Sequence, residues 1–339
     1  MKRHGELYTQ IVTIDNLYTA YRAARKGKTW QDTIKRFEVD LDNNLIKIQE
    51  SLLDKTFTTS PYREMTIYEP KRRTIYKLPF NPDRIVQHAV MNIVEPIWDA
   101  IFIHDSYSCR KGKGIHAGSR RTMDFIRKTG SGGYCLKMDI SKFYPSISHD
   151  ILYNIVKKKI KCKDTLWLLE DIIFSLPGNK NVPIGNYTSQ WLGNLYLNEL
   201  DYYLKFELGV KSYLRYCDDF LVLHHDKRYL HELADVIGNF IHVHLDLKFS
   251  KCDVFPISQG IDFLGYRHFP KFILVRKSTV KWVKRRLQRL PILLDKGFIT
   301  AEQYRSSIAS TKGWLKWANS YHLSKCLGLE SMGVAAIDR

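Results

Sequence analysis

The stretch Arg215-Tyr216-Cys217-Asp218-Asp219-Phe220-Leu221-Val222-Leu223 places two adjacent carboxylates between two short runs of apolar, β-prone residues. Tyr213, Leu214 and Tyr216 predict one strand, and Phe220 to Leu223 predict the next. Side chains that are neighbours along a straight strand point to opposite faces of a sheet. At the tip of a hairpin, however, both carboxylates can approach one metal centre. The stretch therefore predicts a β-hairpin with an acidic tip.

A second short strand, within Lys137-Met138-Asp139-Ile140-Ser141-Lys142-Phe143-Tyr144, carries one further acid. Asp139, Asp218 and Asp219 would then come from neighbouring strands, and three such carboxylates can hold two Mg²⁺ ions together with substrate phosphate. The backbone carbonyl of Ile140 can add a ligand. This arrangement supports in-line phosphoryl transfer with Mg²⁺, or with Mn²⁺ as the alternative metal in vitro. An acidic pair also occurs in ordinary turns, so the assignment depends on the rest of the chain.

Composition narrows the class of protein. The 339 residues predict two or three domains, and 44% apolar with 13% aromatic residues is typical of a globular chain. Lys plus Arg number 53 against 35 Asp plus Glu, a net charge of +18. Nucleic acid is the expected partner of such a chain, and a merely soluble basic surface is the alternative.

Targeting and cysteine patterns point to the interior of a cell. No apolar run reaches the roughly 18 residues that a membrane span needs, and the first residues lack the apolar core of a signal peptide. A cytoplasmic protein without membrane contact is therefore expected. The six cysteines are scattered without a Cys-x-x-Cys pair, which argues against a zinc site and a disulfide scaffold.

Basic residues interrupt a strand-like region before the first acid. An alternating run from Tyr62 to Pro70, the turn Lys71-Arg72-Arg73 and the run Thr74 to Leu78 predict a strand–turn–strand unit. Such a unit can place cations over a triphosphate, and Arg73 and Lys77 are the candidates. Asp83 then opens a helical run as a good N-cap residue.

A glycine-containing basic loop follows from Ser106 to His116. Its glycines let the backbone approach a ligand closely. Arg110 is a further candidate for the triphosphate, and Lys111 and Lys113 are candidates for nucleic-acid contact. A basic surface loop with no ligand is the alternative for these lysines.

Helical patterns occur in several parts of the chain. Residues 1–60 are helical in part, and further helices are predicted over Asp150–Leu176, from Ser189 and over Tyr229–His244. Between Arg276 and Arg289 seven residues are basic and none is acidic. One face of this helix is apolar, and the other carries cations suited to backbone phosphates. The apolar residues are Val280, Val283, Leu287 and Leu290, and the cations are Lys277, Lys281, Lys284 and Arg285. Gly313 to Asn319 is expected to close the bundle as core.

Together these motifs resemble the reverse transcriptase family. Tyr216-Cys217-Asp218-Asp219 is similar to its Tyr-x-Asp-Asp motif, and the Asp139 strand is similar to its first catalytic strand. The loop from Ser106 is similar to Ser-Tyr-Gly-x-Arg-x-Gly-x-Gly, with Ser108 replacing the first glycine. The resemblance implies an α+β, right-hand polymerase fold with fingers, a palm built on a split βαβ sheet, and a small helical thumb.

The resemblance also implies a division of the chain and individual roles. The domains would be a helical extension at 1–60, fingers at 61–133, a palm at 134–268 to which 151–180 adds helices shared with the fingers, and a thumb at 269–339. Tyr144 would stack under the sugar and exclude a 2′-OH, with a core aromatic as the alternative. Lys251 would protonate the leaving pyrophosphate, with a surface lysine as the alternative. Further implied positions are the incoming-nucleotide contacts Ile184, Gly185 and Gln190 and the primer-gripping hairpin Phe263–Tyr266.

Most reverse transcriptases have Pro-Gln-Gly where this chain has Pro183-Ile184-Gly185. The segment Ile184-Gly185-Asn186-Tyr187-Thr188-Ser189-Gln190 resembles reverse transcriptases of diversity-generating retroelements, which rewrite a variable gene through an error-prone cDNA. Similar segments stand at Met1-Lys2-Arg3-His4, Tyr68-Glu69-Pro70-Lys71, Ile261–Tyr266 and Arg276–Lys281. This resemblance implies errors opposite template adenine, with Ile184 and Arg73 as fidelity positions.

The implied partners are a template RNA, the RNA/cDNA heteroduplex, dNTPs and a small basic pentameric accessory protein. Two other classes stay open. One is a different single-domain prokaryotic reverse transcriptase, of the retron, group II-like or phage-defence type. The other is a catalytically silent RNA-binding protein on the same fold. The last 70 residues leave little room for an endonuclease, RNase H or integrase domain, so an intron enzyme carrying such domains is less expected.

Overall fold

A four-stranded antiparallel sheet lies at the centre of the computed structural model, which describes residues 3–68 and 72–329. Its strands are β3 (Tyr134–Ile140), β4 (Tyr213–Tyr216), β5 (Asp219–His224) and β6 (Phe249–Pro256), in the order β4-β5-β3-β6. Alternating residues of β3 and β5 face opposite layers, as a strand period of two requires. Leu136 and Phe220 join the main core with the helices on one face, while Cys135 and Leu221 join a second core on the other.

Helices cover the first face, and a helix with a small sheet covers the second. Elements α7 to α11 are Phe143–Ser146, His149–Lys157, Lys163–Ile173, Tyr187–Tyr202 and Lys227–Leu245. The second face lies against α6 (Ile115–Thr129) and a small antiparallel sheet of β7 (Ile261–Phe263), β8 (Tyr266–His268) and β9 (Ile273–Val275). Asp226 accepts hydrogen bonds from the backbone N–H groups of Arg228 and Tyr229 and thereby caps α11.

The N-terminal helices are part of the main core. They are α1 (Tyr8–Ile11), α2 (Ile14–Arg25), α3 (Asp32–Glu38) and α4 (Leu41–Leu53), and α2 packs along α5 (Ile85–Asp99). Leu17 and Val90 are both fully buried in the same cluster. The Asn16 side chain donates to the Ala89 carbonyl at 3.0 Å. These helices therefore cover the adjoining α5 rather than extend as a free arm.

The hairpin of β1 (Arg63–Ile67) and β2 (Arg73–Lys77) is antiparallel and mostly exposed. Its predicted turn at Lys71, and residues Glu69 to Lys71 of the retroelement-like segment, lie outside the described residues. The predicted N-cap at Asp83 is wrong. A π-helical turn at Phe80–Arg84 precedes α5, and the buried Asp83 accepts from the backbone N–H of Ser60 at 2.8 Å instead.

The helical stretch predicted over Asp150–Leu176 consists of two helices, α8 and α9, which are separated at residues 158–162. The intervening residues pair with the N-terminus: the backbone N–H of His4 donates to the Lys159 carbonyl, and that of Lys161 donates to the His4 carbonyl. No glycine or proline marks the break in the sequence. A contact between distant parts of the chain ends the first helix there.

The C-terminal helices form a separate small core. They are α12 (Lys277–Asp295), α13 (Ala301–Leu315) and α14 (Tyr321–Cys326), and they pack through Val283, Leu287 and Ile308. The core role expected for Gly313 to Asn319 is confirmed at Leu315, which is buried between these helices, and the segment makes further contacts outside the bundle. Trp314 stacks on Tyr266, and the Trp317 indole donates to Ser119 of α6 at 2.8 Å, so the segment joins the bundle to the palm. In the part of the chain that the structure describes, no helix is long and apolar enough to cross a membrane.

Candidate active site

Two of the predicted acids face each other across neighbouring strands. Asp139 near the end of β3 and Asp219 at the start of β5 are directly paired, so their side chains share one face of the sheet. Cys217 and Asp218 form the two-residue turn between β4 and β5, and Cys217 adopts a positive φ of 56°. The hairpin thus carries Asp218 at its tip, as the sequence predicted.

The site holds more negative charge than its protein surroundings balance. Burial raises the pKa of the Asp219 carboxyl to about 6, with Lys137 opposing the rise and Asp139 adding to it. Burial also raises the pKa of Asp218; the charge of Asp139 adds to this rise, and the Arg73 guanidinium opposes it. The ammonium of Lys137 lies 3.5 Å from Asp219 Oδ2. Asp219 Oδ1 is buried without a hydrogen-bond partner among the described residues.

These features fit a divalent cation. A buried carboxylate oxygen without a donor and three acids around one corner are the ligands that Mg²⁺ prefers. Among the described residues, no group of three or more His, Cys, Asp or Glu side chains is placed to hold a metal ion without further ligands. Mg²⁺ commonly takes one or two carboxylates and completes its shell with substrate phosphate and water, so such a cage is not required. Ser250 donates to Asp139 Oδ2 at 2.5 Å and orients that carboxylate.

A buried ion pair between Arg215 and Asp201 lies beneath the acidic turn and is hydrogen-bonded to its backbone. It was not predicted from the sequence. Arg215 and Asp201 are both 0% exposed, and the Arg215 guanidinium donates to Asp201 through Nε at 2.8 Å and through Nη2 at 2.5 Å. Arg215 Nη1 also donates to the Cys217 carbonyl and to Asn194 Oδ1, each at 3.0 Å. The sequence offers one signal for this pair. Arg215 lies close to the acidic pair of the turn, and Asp201 lies on an otherwise largely apolar helix.

Tyr144 lies beside the acidic turn. Its hydroxyl is 3.6 Å from Cys217 Sγ, and its ring lies against Gly193 of α10, where an added Cβ would be 3.1 Å from Tyr144 Cε1. The ring is half-buried, and burial raises the pKa of its phenol. The position next to the metal-binding corner is compatible with the predicted contact to the incoming sugar, which stays a prediction.

The β1–β2 hairpin is attached to the loop that carries Ile184. The backbone N–H of Tyr76 donates to the Ile184 carbonyl at 2.8 Å. A Cβ at Gly185, whose φ is +122°, would lie 2.7 Å from the Tyr76 carbonyl oxygen, so glycine permits this close approach. The contact holds the strand that carries Arg73 and Lys77 beside the palm. Gln190 is exposed on the first turn of α10, and its predicted contact, like those of Ile184 and Gly185, stays a prediction.

Two basic residues of the glycine-containing loop have structural partners. The Arg110 guanidinium donates to Asp99 Oδ1 at 2.5 Å and to the carbonyls of Ile103 and Ser106, and its predicted contact with a triphosphate stays a prediction. Lys113 donates to the His104 carbonyl at 2.8 Å, whereas Lys111 is exposed. Loop geometry, which the sequence does not reveal, decides these partners.

The remaining basic candidates are at the surface. Lys251 is paired across the sheet with Asp139 and forms an ion pair with Asp253 at 3.0 Å. The structure confirms the two faces predicted for α12: Val283, Leu287 and Leu290 are buried, and the cations are exposed. These exposed cations are Lys277, Lys281, Lys284 and Arg285. All six cysteines are free thiols.

Fold and site together define a polymerase palm, and comparison with known proteins names the family. Residues 69–268 match the family described as reverse transcriptase (RNA-dependent DNA polymerase). The chain belongs to this family, and the predicted right-hand fold is confirmed.

Two curated proteins and one solved structure are similar to this chain. The Group II intron-encoded protein LtrA of Lactococcus lactis subsp. cremoris is 26% identical over 299 residues, covering 82% of this chain and 49% of that protein. Protein YkfC of Escherichia coli is 24% identical, covering 68% of this chain and 71% of that protein. The chain thus spans about half the length of LtrA. The apo telomerase of Candida tropicalis matches with a TM-score of 0.50 at 12% identity, covering 82% of this chain and 63% of that one, which is a likeness of fold alone.

Proposed function

We propose that the chain is an RNA-directed DNA polymerase that adds dNTPs to a primer 3′-OH. The observation that carries this proposal is the pairing of Asp139 with Asp219 beside the Asp218 turn, with one Asp219 oxygen left without a donor. Asp139 and Asp218 would hold both Mg²⁺ ions, with Asp219 and the Ile140 carbonyl in support. Bound there, the metals would activate the primer hydroxyl and neutralise charge on the transferring phosphate.

The protein groups around the metals have separate tasks in this proposal. Lys137 holds the Asp219 carboxylate in place, and Ser250 holds that of Asp139. Arg73 and Lys77 on β2 supply positive charge for the triphosphate, and Arg73 already acts on Asp218 electrostatically. Tyr144 limits the space beside the nucleotide sugar. The exposed cations of α12 hold the phosphates of the template and the product duplex.

Asp218→Asn tests the chemistry. The variant should fold, since it keeps the shape of a side chain in a turn, but lose most primer extension because a ligand charge is lost. In the metal-free state its melting temperature should equal or exceed that of the wild type, because Asp218 and Asp139 repel each other. Added Mg²⁺ with dNTP should raise the melting temperature of the wild type more than that of the variant. Asp235→Asn, an exposed acid on α11, is the matched control.

The narrower proposal is an error-prone enzyme that makes adenine-mutated cDNA for mutagenic retrohoming of a diversity-generating retroelement. It is supported by the Ile184–Gln190 segment and by the similar segments elsewhere in the chain. Its partners would include a small basic pentameric accessory protein, and its location would be the cytoplasm. Sequencing the cDNA made from a defined RNA decides the matter: substitutions concentrated at template adenines support the retroelement function. Evenly distributed errors would favour a group II-like or other prokaryotic enzyme.

A further inference from the structure

A cavity of about 420 Å³ opens at the end of the palm sheet that is far from the acids. It lies between the C-terminal end of α6, the loop at Gly209–Ser212, the end of β5 and the start of α11. Its volume falls within the range of roughly 300–1,000 Å³ that is typical of ligand sites. Asp219 begins β5, and the cavity is lined by its last three residues, Val222 to His224, so at about 3.4 Å per residue the cavity lies about 10 to 17 Å from the acids. It is therefore distinct from the nucleotide site.

Two lysines give the cavity an excess of positive charge. Lys128 and Lys211 line it and are exposed, and neither forms an ion pair within residues 3–68 and 72–329. Oδ1 of the neighbouring Asp226 accepts from two backbone N–H groups at the start of α11, and this carboxylate forms no ion pair with either lysine. Asp124, one turn before Lys128, is paired with Arg127. The two ammonium groups are thus available to an anion.

The imidazole of His224 presents a donor rather than an acceptor at its outer nitrogen. The backbone N–H of Asp226 donates to His224 Nδ1 at 3.1 Å. A neutral ring that accepts at Nδ1 carries its proton on Nε2. The hydroxyl groups of Thr129 and Ser212 also line the cavity. The polar groups around the cavity therefore suit phosphate or carbonyl oxygens.

Aromatic rings complete the lining. The His224 and His225 ring centroids are 4.2 Å apart, and those of His224 and Tyr229 are 4.3 Å apart. His225 is exposed, which leaves part of its ring open to solvent. The Tyr229 hydroxyl forms no hydrogen bond with another described residue, although Tyr229 lines the cavity and its side chain is half-buried. Cations next to open aromatic rings are the combination that single-stranded nucleic acid uses, with phosphate on the cations and a base on the ring.

We propose that this cavity binds one unpaired nucleotide of RNA, with its phosphate at Lys128 and Lys211 and its base on His225. An RNA that occupies the catalytic cleft would gain a second attachment point on the palm, independent of base pairing. The site goes beyond the proposed polymerisation, because it contributes no group to the reaction. An acidic peptide would use the lysines but would not need the ring, so substitution of His225 separates the two ligands.

The first experiment maps the contact directly. The full-length protein is bound to an annealed primer–template with a long single-stranded RNA overhang that carries 4-thiouridine, and is irradiated without Mg²⁺. A cross-linked peptide that contains His225 or Tyr229 is expected. Cross-links found only in peptides around Asp139, Ile184 and α12 would overturn the proposal.

The second experiment measures affinity. The double variant Lys128→Glu/Lys211→Glu should weaken binding of this RNA by about tenfold at low salt and reduce the salt slope by about 0.7 for each phosphate that the protein no longer neutralises. The control is Lys47→Glu/Lys163→Glu, which makes the same charge change at exposed lysines elsewhere. Equal affinities in the two double variants would contradict the proposal. Extension of a short, saturating primer–template should be unchanged in both double variants. Failure of the proposed nucleotide site can therefore be distinguished from failure of the polymerase assignment.

The third experiment separates RNA from an acidic peptide. His225→Ala should weaken RNA binding about fivefold or more, as expected for loss of a stacked base, while His225→Phe should retain it. Weaker RNA binding in both variants, or in neither variant, would contradict stacking of a base on His225. Binding of a polyglutamate probe that is as tight as that of RNA, and insensitive to His225→Ala, would assign the cavity to acidic peptides instead.

Discussion

Arg215 Nη1 donates to the carbonyl oxygen of Cys217 at 3.0 Å, and so ties the backbone of the acidic turn to the interior of the palm. The same guanidinium is held by Asp201, which also accepts from the Tyr213 hydroxyl at 2.6 Å. The Cys217 backbone has a positive φ of 56°, a conformation that a non-glycine residue adopts at an energetic cost. The arginine fork therefore stabilises a turn that would otherwise relax.

Arg215→Lys should separate positioning from folding. Lysine keeps the charge against Asp201, but it lacks the planar fork that reaches two acceptors at once. We expect kcat to fall about tenfold to a hundredfold with little change in KM for dNTP, because a small displacement of the acids affects the reacting geometry most. The Mg²⁺ concentration for half-maximal activity should rise as well.

The control for this prediction is Arg127→Lys, an exposed arginine on α6. If Arg215→Lys lowers the melting temperature but leaves kcat and the Mg²⁺ dependence intact, Arg215 has only a structural role. Arg215→Met is less informative, because it leaves Asp201 buried without its partner. Such a loss costs about 3–5 kcal/mol of folding free energy.

The exposed face of α12 should bind phosphates without regard to sequence. Reversing Lys281, Lys284 and Arg285 to Glu should weaken binding to RNA and to heteroduplex alike. The salt slope should fall by about 0.9 for each duplex phosphate that this face no longer neutralises. Reversal of the exposed Arg36, Lys47 and Lys163 is the matched control. An unchanged slope in the α12 variant would mean that this face serves another partner.

Local pattern predicted the acidic hairpin and the α12 faces because both depend on neighbours in sequence. The Tyr-Cys-Asp-Asp stretch has short runs of β-prone residues on both sides of a two-residue turn, and α12 has a 3.6-residue apolar period. Arg110 and the break between α8 and α9 could not be predicted in this way. Arg110 finds Asp99 through the path of its loop, and the break follows from pairing with His4. Contacts between distant residues decide both.

Within the site, the Arg215–Asp201 pair also could not be predicted from local sequence pattern. Both residues are ordinary in the sequence, and only the packing of α10 against β4 buries them together. Lys137 stands two residues before Asp139 in the sequence, and no role was predicted for it. Its contact with Asp219 follows from the register of β3 and β5, since residues two apart on one strand share a face. A register prediction would have been enough to find it.

The free energy of unfolding should fall in mild acid, because a buried histidine lies at the contact between the palm and the C-terminal helices. Trp317 Nε1 donates to Ser119 Oγ at 2.8 Å, Ser119 Oγ is 2.7 Å from His268 Nε2, and His268 Nδ1 is 3.2 Å from the Ile261 carbonyl. The Ile261 carbonyl can only accept, so His268 Nδ1 donates to it and Nε2 accepts from Ser119. Burial lowers the pKa of His268 from 6.5 to about 4; Asp262 opposes this, while Arg276 and Lys137 add to it.

Because the folded pKa of His268 is the lower one, the unfolded chain binds the extra proton between about pH 6.5 and pH 4. This residue therefore costs no stability above pH 6.5, and up to about 1.4 kcal/mol is lost for each pH unit below it. His268→Gln can keep both hydrogen bonds without titrating. Urea unfolding from pH 8 to pH 5 should show a shallower loss in the variant. His88, with a pKa also lowered to about 4, contributes equally to both proteins. The same pH dependence of the unfolding free energy in the wild type and in His268→Gln would contradict this role of His268.

Ile184 should lower the fidelity with which the enzyme selects the incoming nucleotide. A glutamine there can donate and accept hydrogen bonds near the incoming nucleotide, whereas isoleucine has no polar side-chain atom and is stiff. The backbone carbonyl of Ile184 accepts a hydrogen bond from the backbone N–H of Tyr76. Ile184→Gln should therefore leave the loop backbone in place. A hydrogen bond is worth about 0.5–1.5 kcal/mol net, so misincorporation should fall about twofold to tenfold.

The measurement is misincorporation and correct incorporation opposite each template base, in the wild type and in Ile184→Gln. We expect fewer errors opposite adenine and little loss of correct synthesis. Ile184→Leu is the control, because it keeps an apolar side chain of the same size and should keep the error rate. Equal error rates and equal activity in wild type and Ile184→Gln would remove Ile184 from the fidelity mechanism. Arg73 would then be the next residue to substitute, because its guanidinium acts on Asp218 from the same hairpin that contacts the Ile184 loop.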